Sequence, residues 1–382
     1  MTEEAPIYLD HNATTPLLPE VVEAMIPYLR THFGNPSSSH IVGRRARRGV
    51  DKARRQVANL LGASPSEIVF TSGGTEANNL AIQGVARARQ DRRRVVSSVI
   101  EHPATEMPCR YLAEKGWSVA FLDVDAQGRV QIDQARQAID DDTALVTVMH
   151  SNNETGVIQP IRELVAIANE VGATVHTDAA QSVGKVPIDV DELGVDLLSL
   201  AGHKVYAPKG VGVLYVRRGT PVAPVLLGAG HEGGLRPGTE NVASIVGLGV
   251  ACEAAAAGLE KNARRIEALR ELLWQKLRAA IPEIGLNGHR EKRLPNTLNV
   301  RFPEVSGEAL LAAAPQIAAS TGSACHGGHQ AASQVILSMG IAPDQALGSV
   351  RLSLGRCTTE GQIEAAATAL IEAWQSASRP GR

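Results

Sequence analysis

Three short stretches of the chain bring together residue types that could do chemistry. In TSGGTEANN (Thr71 to Asn79) an apolar run ends, two glycines follow, and Thr75 opens a helical segment. Glycines let backbone N–H groups close on an anion, and a helix N-terminus adds a favourable dipole, so a phosphate could be held there. The alternative is a strand-to-helix turn that uses glycine only for its geometry, and the text matches neither a P-loop nor GxGxxG. In VHTDAAQ (Val175 to Gln181) Asp178 stands at the carboxyl end of a strand, the edge where open α/β sheets place ligands. A carboxylate there can hold a proton on a heterocyclic nitrogen or cap a following helix. In SLAGHKVYAPKG (Ser199 to Gly210) Lys204 ends another apolar strand, whereas Lys209 reads as an exposed turn lysine. An ammonium in such a place is costly unless paired or deprotonated. A lysine of lowered pKa forms a Schiff base with an aldehyde. A phosphate cradle, a carboxylate for a pyridinium nitrogen and an amine for an aldehyde together fit pyridoxal phosphate.

Positioning these residues is the task of an alternating pattern. Short β-branched runs (Glu67–Thr71, Arg94–Ile100, Val119–Asp123, Ala144–His150, Ala173–Asp178, Val195–Leu200 and Val211–Val216) alternate with segments of helical period at Pro19–Tyr28, Arg44–Leu61 and Ile161–Val171. The runs are continuously apolar, as strands buried on both faces of a mostly parallel sheet are. This is the α/β signature. From about Val242 the texture changes: Ser244 to Ile281 reads as one or two helices, followed by strand-like Leu298–Phe302 and Val350–Leu354 and a last helix, Thr359–Ser376. The expected organisation is a large domain, 16–258, and a smaller α+β domain made of 1–15 and 259–382, with the long helical stretch as connector.

The chain has 382 residues, and its 38 Lys and Arg against 40 Asp and Glu leave a formal charge of −2. No global basic excess points to nucleic acid or an anionic membrane as a partner. The basic run Arg44 to Arg55 shares its helix with an apolar stripe and reads as a solvated face before a docking surface. Cys109, Cys252, Cys325 and Cys357 form no CxxC pair and no disulfide framework. The N-terminus MTEEAPIYLD is acidic, and the apolar stretch Ser244 to Leu259 is interrupted by Glu253 and short for a bilayer. A soluble protein of a reducing compartment, the cytoplasm, is expected, with no membrane partner.

Nine texts stand in order along the chain: YLDHNATTP (Tyr8 to Pro16), FGNPSS (Phe33 to Ser38), TSGGTEANN, EHPA (Glu101 to Ala104), NNETG (Asn152 to Gly156), HTDAAQS, GHK, RPGTEN (Arg236 to Asn241) and GSAC (Gly322 to Cys325). In this order they resemble the cysteine desulfurases of the NifS/IscS type, in the class V aminotransferase group of pyridoxal-phosphate enzymes. The resemblance runs from about Tyr8 to the last helix. It implies the fold type I architecture, with a mostly parallel seven-stranded sheet between helices, and removal of sulfur from L-cysteine to give L-alanine.

The resemblance also implies roles. Lys204 carries the cofactor, Asp178 pairs with its ring nitrogen, Gln181 reaches its phenolic oxygen, and His102 stacks on the ring and shuttles a proton. Gly74, Thr75 and His203 hold the phosphate, joined by Thr239 from the other subunit of a homodimer. Asn153, also beside the cofactor, and Arg351 receive the substrate carboxylate, Arg351 as a bidentate fork. Cys325 is the nucleophile that becomes a persulfide and passes sulfur to a protein acceptor, an iron–sulfur scaffold or a thiolation protein. A free thiol is only a few per cent thiolate at neutral pH, yet that fraction is strongly nucleophilic. Gly322, Gly327 and Gly328 give its segment backbone freedom. The other three cysteines read as buried small hydrophobes.

Two departures stand out. Ala201 occupies a position where family members often carry a phosphate-binding serine, a loss of about 0.5–1.5 kcal/mol for a neutral hydrogen bond. After the nucleophile the chain reads CHGGH (Cys325 to His329), and Ala324-Cys325-His326 resembles selenocysteine lyases. Pro103, where animal selenocysteine lyases have aspartate, weighs for the desulfurase. CHGGH supplies at most three of the four ligands that a structural zinc needs, so no metal is expected. His326 and His329 read first as residues of an exposed loop and second as a cation lowering the Cys325 pKa; a transaminase or β-lyase of other specificity and a scaffold that keeps the fold without catalysis are the remaining alternatives.

Overall fold

A computed structural model describes residues 6–321 and 331–378. The chain begins with β1 (Ile7–Tyr8), α1 (Pro19–Arg30), α2 (Ile41–Leu61), β2 (Ile68–Thr71), α3 (Gly74–Ala88), β3 (Arg94–Ser98), α4 (Pro103–Glu114) and β4 (Ser118–Leu122). It continues through α5 (Ile132–Ala138), β5 (Thr143–Thr147), α6 (Ile161–Glu170), β6 (Thr174–Asp178), α7 (Val190–Leu193), β7 (Leu197–Ala201) and β8 (Gly212–Val216). After these come α8 (Val242–Ala280), β9 (Gly285–Leu286), β10 (Thr297–Arg301), α9 (Gly307–Ala313), β11 (Ile317–Ala318), α10 (Gln334–Ser338), α11 (Pro343–Ala346), β12 (Ser349–Ser353) and α12 (Glu360–Ala377).

Seven strands form one sheet in the order β2-β8-β7-β6-β5-β3-β4. Only β8 runs against its neighbours, so the carboxyl ends of β2, β6 and β7 share one edge. The apolar runs are continuous because both faces are covered. Val96, Val146, Leu198 and Val213 point into one hydrophobic cluster, while their chain neighbours Val95, Leu145, Leu197 and Leu214 point into another. Fully burying one such side chain stabilises the fold by about 1.5–3 kcal/mol. Gly212 starts β8 directly under the entry to α3: a Cβ there would lie 2.6 Å from the carbonyl carbon of Gly73.

The stretch expected as one or two helices is a single 39-residue helix, α8, about 58 Å long. Its first half places Ile245, Leu248, Ala251, Cys252 and Ala255 in the core of the large sheet. Its second half places Ile266, Leu269, Leu273 and Leu277 in a separate core with β10, β12 and α12. Against the expectation of a stretch too short for a bilayer, α8 is long and apolar enough by length and composition to cross one; 56% of its most apolar window is buried inside the protein. The smaller unit holds the antiparallel sheet β12-β10-β9 and the parallel pair β1-β11. Val335, Ile336, Met339 and Ala346, although late in the chain, pack into the core of the large sheet. Cys109 and Cys252 are buried, but Cys357 is exposed, in the turn that follows β12, so the expectation of a buried hydrophobe is corrected there.

Candidate active site

Asp178 closes β6, and Lys204 follows β7 in a one-turn 3-10 helix, Gly202–Lys204. They line a common cavity of about 290 Å3 with Gly74, Thr75, His102, Asn153, Gln181, His203 and Arg351. A cleft of about 790 Å3 lies elsewhere, between α2 and residues 216–235. Within it Arg54 and Glu232 bind each other at 2.7 Å.

The Asp178 carboxylate is fixed from two sides. Oδ2 accepts from Asn78 Nδ2 at 2.7 Å and Oδ1 from the Ala180 N–H at 2.9 Å. The second bond is an Asx turn, so the helix-cap alternative is not what forms; the next helix starts only at Val190. Asn78 also donates to Thr105 on α4 at 3.1 Å. Thus Asn78 links this carboxylate to α4.

His102 caps α4, its Nδ1 accepting the Ala104 N–H at 3.1 Å, with Pro103 preorganised at the first helical position. That bond places the proton of the neutral ring on Nε2. Burial lowers the His102 pKa, with Lys204 acting the same way against the pull of Asp178. A neutral imidazole with an apolar face is thus presented to the cavity. His203 contacts the Thr14 hydroxyl at 3.2 Å and is pushed to about 4 by burial and then by Lys204.

Lys204 Nζ donates to the carbonyls of Asn12 and, at 2.7 Å, Ala13. Burial, then Arg351, lowers its pKa to about 8, with Asp10 and Asp178 opposing. Its amine is therefore far more available near neutrality than that of an ordinary lysine. Arg351, expected as an open fork, arrives already engaged: one arm donates to Asp10 Oδ1 at 2.7 Å and the other to the Asn153 carbonyl at 3.1 Å. An incoming carboxylate would share this guanidinium with Asp10.

Ala201 lines the cavity beside Gly74 with a methyl group and offers no hydroxyl. Thr239 is exposed and does not line the cavity of its own chain. Its segment is tied to the first turn of α3 by Arg236 Nε donating to Glu76 Oε1 at 2.8 Å. Cys325, His326 and His329 lie outside the described residues, as do Gly322, Gly327 and Gly328. Among the described residues no group of three or more His, Cys, Asp or Glu side chains could hold a metal.

Several contributors escaped the sequence reading. Asn12 is buried, and its carbonyl accepts from both Lys204 and Gln181. Lys185 donates to Gln181 Oε1, and Asn78 holds Asp178. All three lie inside quoted texts or a few residues beyond them, but nothing local marks them.

The set fits pyridoxal phosphate group by group. The α3 N-terminus with Thr75 and His203 suits the phosphate, Asp178 the ring nitrogen, His102 the ring face and Lys204 the aldehyde.

The class-V aminotransferase profile matches residues 7–366. Cysteine desulfurase NifS of Azotobacter vinelandii is 47% identical over 363 residues, covering 94% of this chain and 90% of that protein. Cysteine desulfurase IscS of Dictyoglomus turgidum is 45% identical over 360 residues, covering 94% and 91%. A solved structure described as a NifS-like protein superposes with a TM-score of 0.90 at 37% identity, covering 96% of this chain and 98% of that one.

Proposed function

The chain belongs to the class-V aminotransferase family, as a pyridoxal-phosphate-dependent cysteine desulfurase of the NifS/IscS type, and from that premise we propose that Lys204, His102 and Cys325 carry its chemistry. The observation that supports the assignment is the convergence of Lys204, Asp178, His102 and Arg351 on one cavity.

Bound there, pyridoxal phosphate supplies an electron sink for the carbons of the substrate. Asp178, clamped by Asn78 and the Ala180 N–H, holds a proton on the ring nitrogen. Gly74, Thr75 and His203, with Thr239 of a second subunit, hold the phosphate. Gln181 donates to the phenolic oxygen, and the neutral face of His102 covers the ring. Arg351 and Asn153 take the carboxylate of L-cysteine. Lys204, with its lowered basicity, removes the Cα proton and later returns it. The Cys325 thiol gives up its proton and the thiolate attacks the substrate sulfur; the new S–S bond forms as the Cβ–S bond breaks, and Cβ takes up the proton the thiol released. One sulfur atom moves from cysteine to the thiol, leaving a persulfide and L-alanine, and no external oxidant is consumed.

The persulfide serves a protein acceptor in the cytoplasm, an iron–sulfur scaffold or a thiolation protein. On α2, Arg44, Arg45, Arg48, Lys52 and Arg55 are exposed and offer such a protein a cationic face. A homodimer is supported by apolar residues left open on α1 and the segments flanking it, Leu29 (67% exposed) and Phe33 (77%), and by Leu227 (87%).

The test is to incubate the purified enzyme with L-cysteine without reductant, measure alanine, and locate added sulfur by peptide mass spectrometry. Stoichiometric alanine with the added mass on the Cys325 peptide is expected. Cys325→Ala should keep the bound cofactor and form no alanine; alanine at the parental rate would remove Cys325 from the mechanism.

A further inference from the structure

Behind Gln181, on the side away from the main cavity, lies a second lysine that the proposed chemistry does not use. Lys185 Nζ donates to Gln181 Oε1 at 2.9 Å and to Asn12 Oδ1 at 3.0 Å. Asn12 is 1% exposed, and its side chain is tied on every side. Oδ1 also accepts from Asn296 Nδ2 at 3.0 Å, while Nδ2 donates to Thr297 Oγ1 at 2.9 Å and to the Asn153 carbonyl at 3.1 Å. Its backbone carbonyl receives Gln181 Nε2 at 2.9 Å and the ammonium of Lys204.

An amide side chain can turn over at little steric cost, exchanging its oxygen and its NH2 group. An ammonium has donors only, so whatever faces Lys185 must be an acceptor. That rule fixes Gln181: Oε1 is turned back to Lys185, and the NH2 group is left to Asn12 and the cavity. The same ammonium stands behind Lys204, both lysines anchored on Asn12. Burial and the charges of Lys204 and Arg351 hold the Lys185 pKa well below its ordinary value. Its N–H groups serve the bonds to Asn12 and Gln181 at that position.

We propose that Lys185 is a positioning residue that sets the Gln181 amide so that its NH2 group, not its oxygen, meets the phenolic oxygen of the bound cofactor. This rests on the role assigned to Gln181 above. Without Lys185 the Asn12 carbonyl alone, among the described contacts, holds the amide this way round, and an amide that turns over loses the donor that favours a deprotonated phenolic oxygen.

The test uses the cofactor-loaded enzyme without substrate and reads the pH midpoint of its visible absorption change. Asp10, Asp178, Arg351, His102 and His203, which also surround Lys204, are left intact. Gln181→Leu is expected to raise the midpoint by about one pH unit, the size of one hydrogen bond to a titrating group. Lys185→Met should raise it similarly, and Lys185→Arg, which keeps a cationic donor, should lie nearer the parent. In the Gln181→Leu background, Lys185→Met should add little, because the two act in series. If Gln181→Leu leaves the midpoint unmoved, the assignment of Gln181 itself is wrong. If Gln181→Leu shifts it but Lys185→Met does not, or if the two shifts add in full, Lys185 does not act through Gln181. Should Lys185→Met fail to fold, Lys185→Gln takes its place: it removes the charge but keeps an amide donor, and a midpoint near that of Gln181→Leu would overturn the proposal.

Discussion

Glu101 shows how a single buried group ties this site to pH. It is 7% exposed, takes the Ser98 hydroxyl, and receives the Met149 N–H at 3.0 and 3.1 Å from its two oxygens. Burial raises its pKa from 4.5 to about 8, the charges of Asp178 and Glu106 adding to the rise and the bonds from Ser98 and Met149 opposing it. The folded chain therefore keeps a proton that the unfolded chain has released between pH 4.5 and 8. Unfolding then releases a proton, so this contribution is present in full below the window, falls as pH rises through it, and is gone above. The slope is at most about 1.4 kcal/mol per pH unit for one group. Glu101→Gln should lose this slope. Denaturant midpoints of the two proteins are expected to diverge in favour of the variant from pH 5 to 8 and to run parallel above; a constant offset across the range would show that Glu101 is ionised in the fold. Legibility in the sequence splits at this same scale. Asp178 and Lys204 were readable because each stands at or just past the end of an apolar strand within a short text, whereas His102 was reached only through the resemblance to the family. Asn12 and Lys185 were not, since their partners lie across the chain, Asn296 and Thr297 for one and Asn12 for the other. Arg351 was read as a substrate fork, but only the fold reveals Asp10 beside it.

At the scale of elements, α8 lies close against α2. Gly249 makes that possible: a Cβ there would meet the Ala53 Cα at 2.6 Å and Gln56 Oε1 at 2.5 Å. The contact with backbone cannot be relieved by turning a side chain, so α8 must move. Gly249→Val should cost about 1–3 kcal/mol through overpacking, read as a lower denaturant midpoint with an unchanged slope. A midpoint equal to the parent's would mean that the two helices can separate freely. The seven strands were legible because a sheet covered on both faces leaves no polar alternation to confuse the reading. Boundaries moved by one to three residues, as where β5 ends at Thr147 instead of His150, because the apolar run continues past the last paired residue. The place of α10 was not legible, since its short apolar text does not say which of two cores receives Val335 and Ile336.

At the scale of the whole molecule, the proposed dimer is a claim about which chain completes which site. Thr239 is exposed, absent from the cavity of its own chain, and held on a segment that Arg236 fastens to Glu76. On the same stretch Leu227 stands 87% exposed, an apolar side chain that a second copy would cover. Leu227→Asp should place a charge in that contact and shift sedimentation toward the monomer, with cofactor affinity falling about tenfold as the phosphate loses one hydrogen bond. Mixed dimers separate this from a local effect. Lys204→Ala and Thr239→Val each weaken or abolish both sites of their own homodimers. In the mixed dimer, the site that keeps Lys204 receives its threonine from the partner, and one of the dimer's two sites should regain parental cofactor binding. If Thr239 instead served its own chain, no site in the mixture would hold both residues, and binding would not recover.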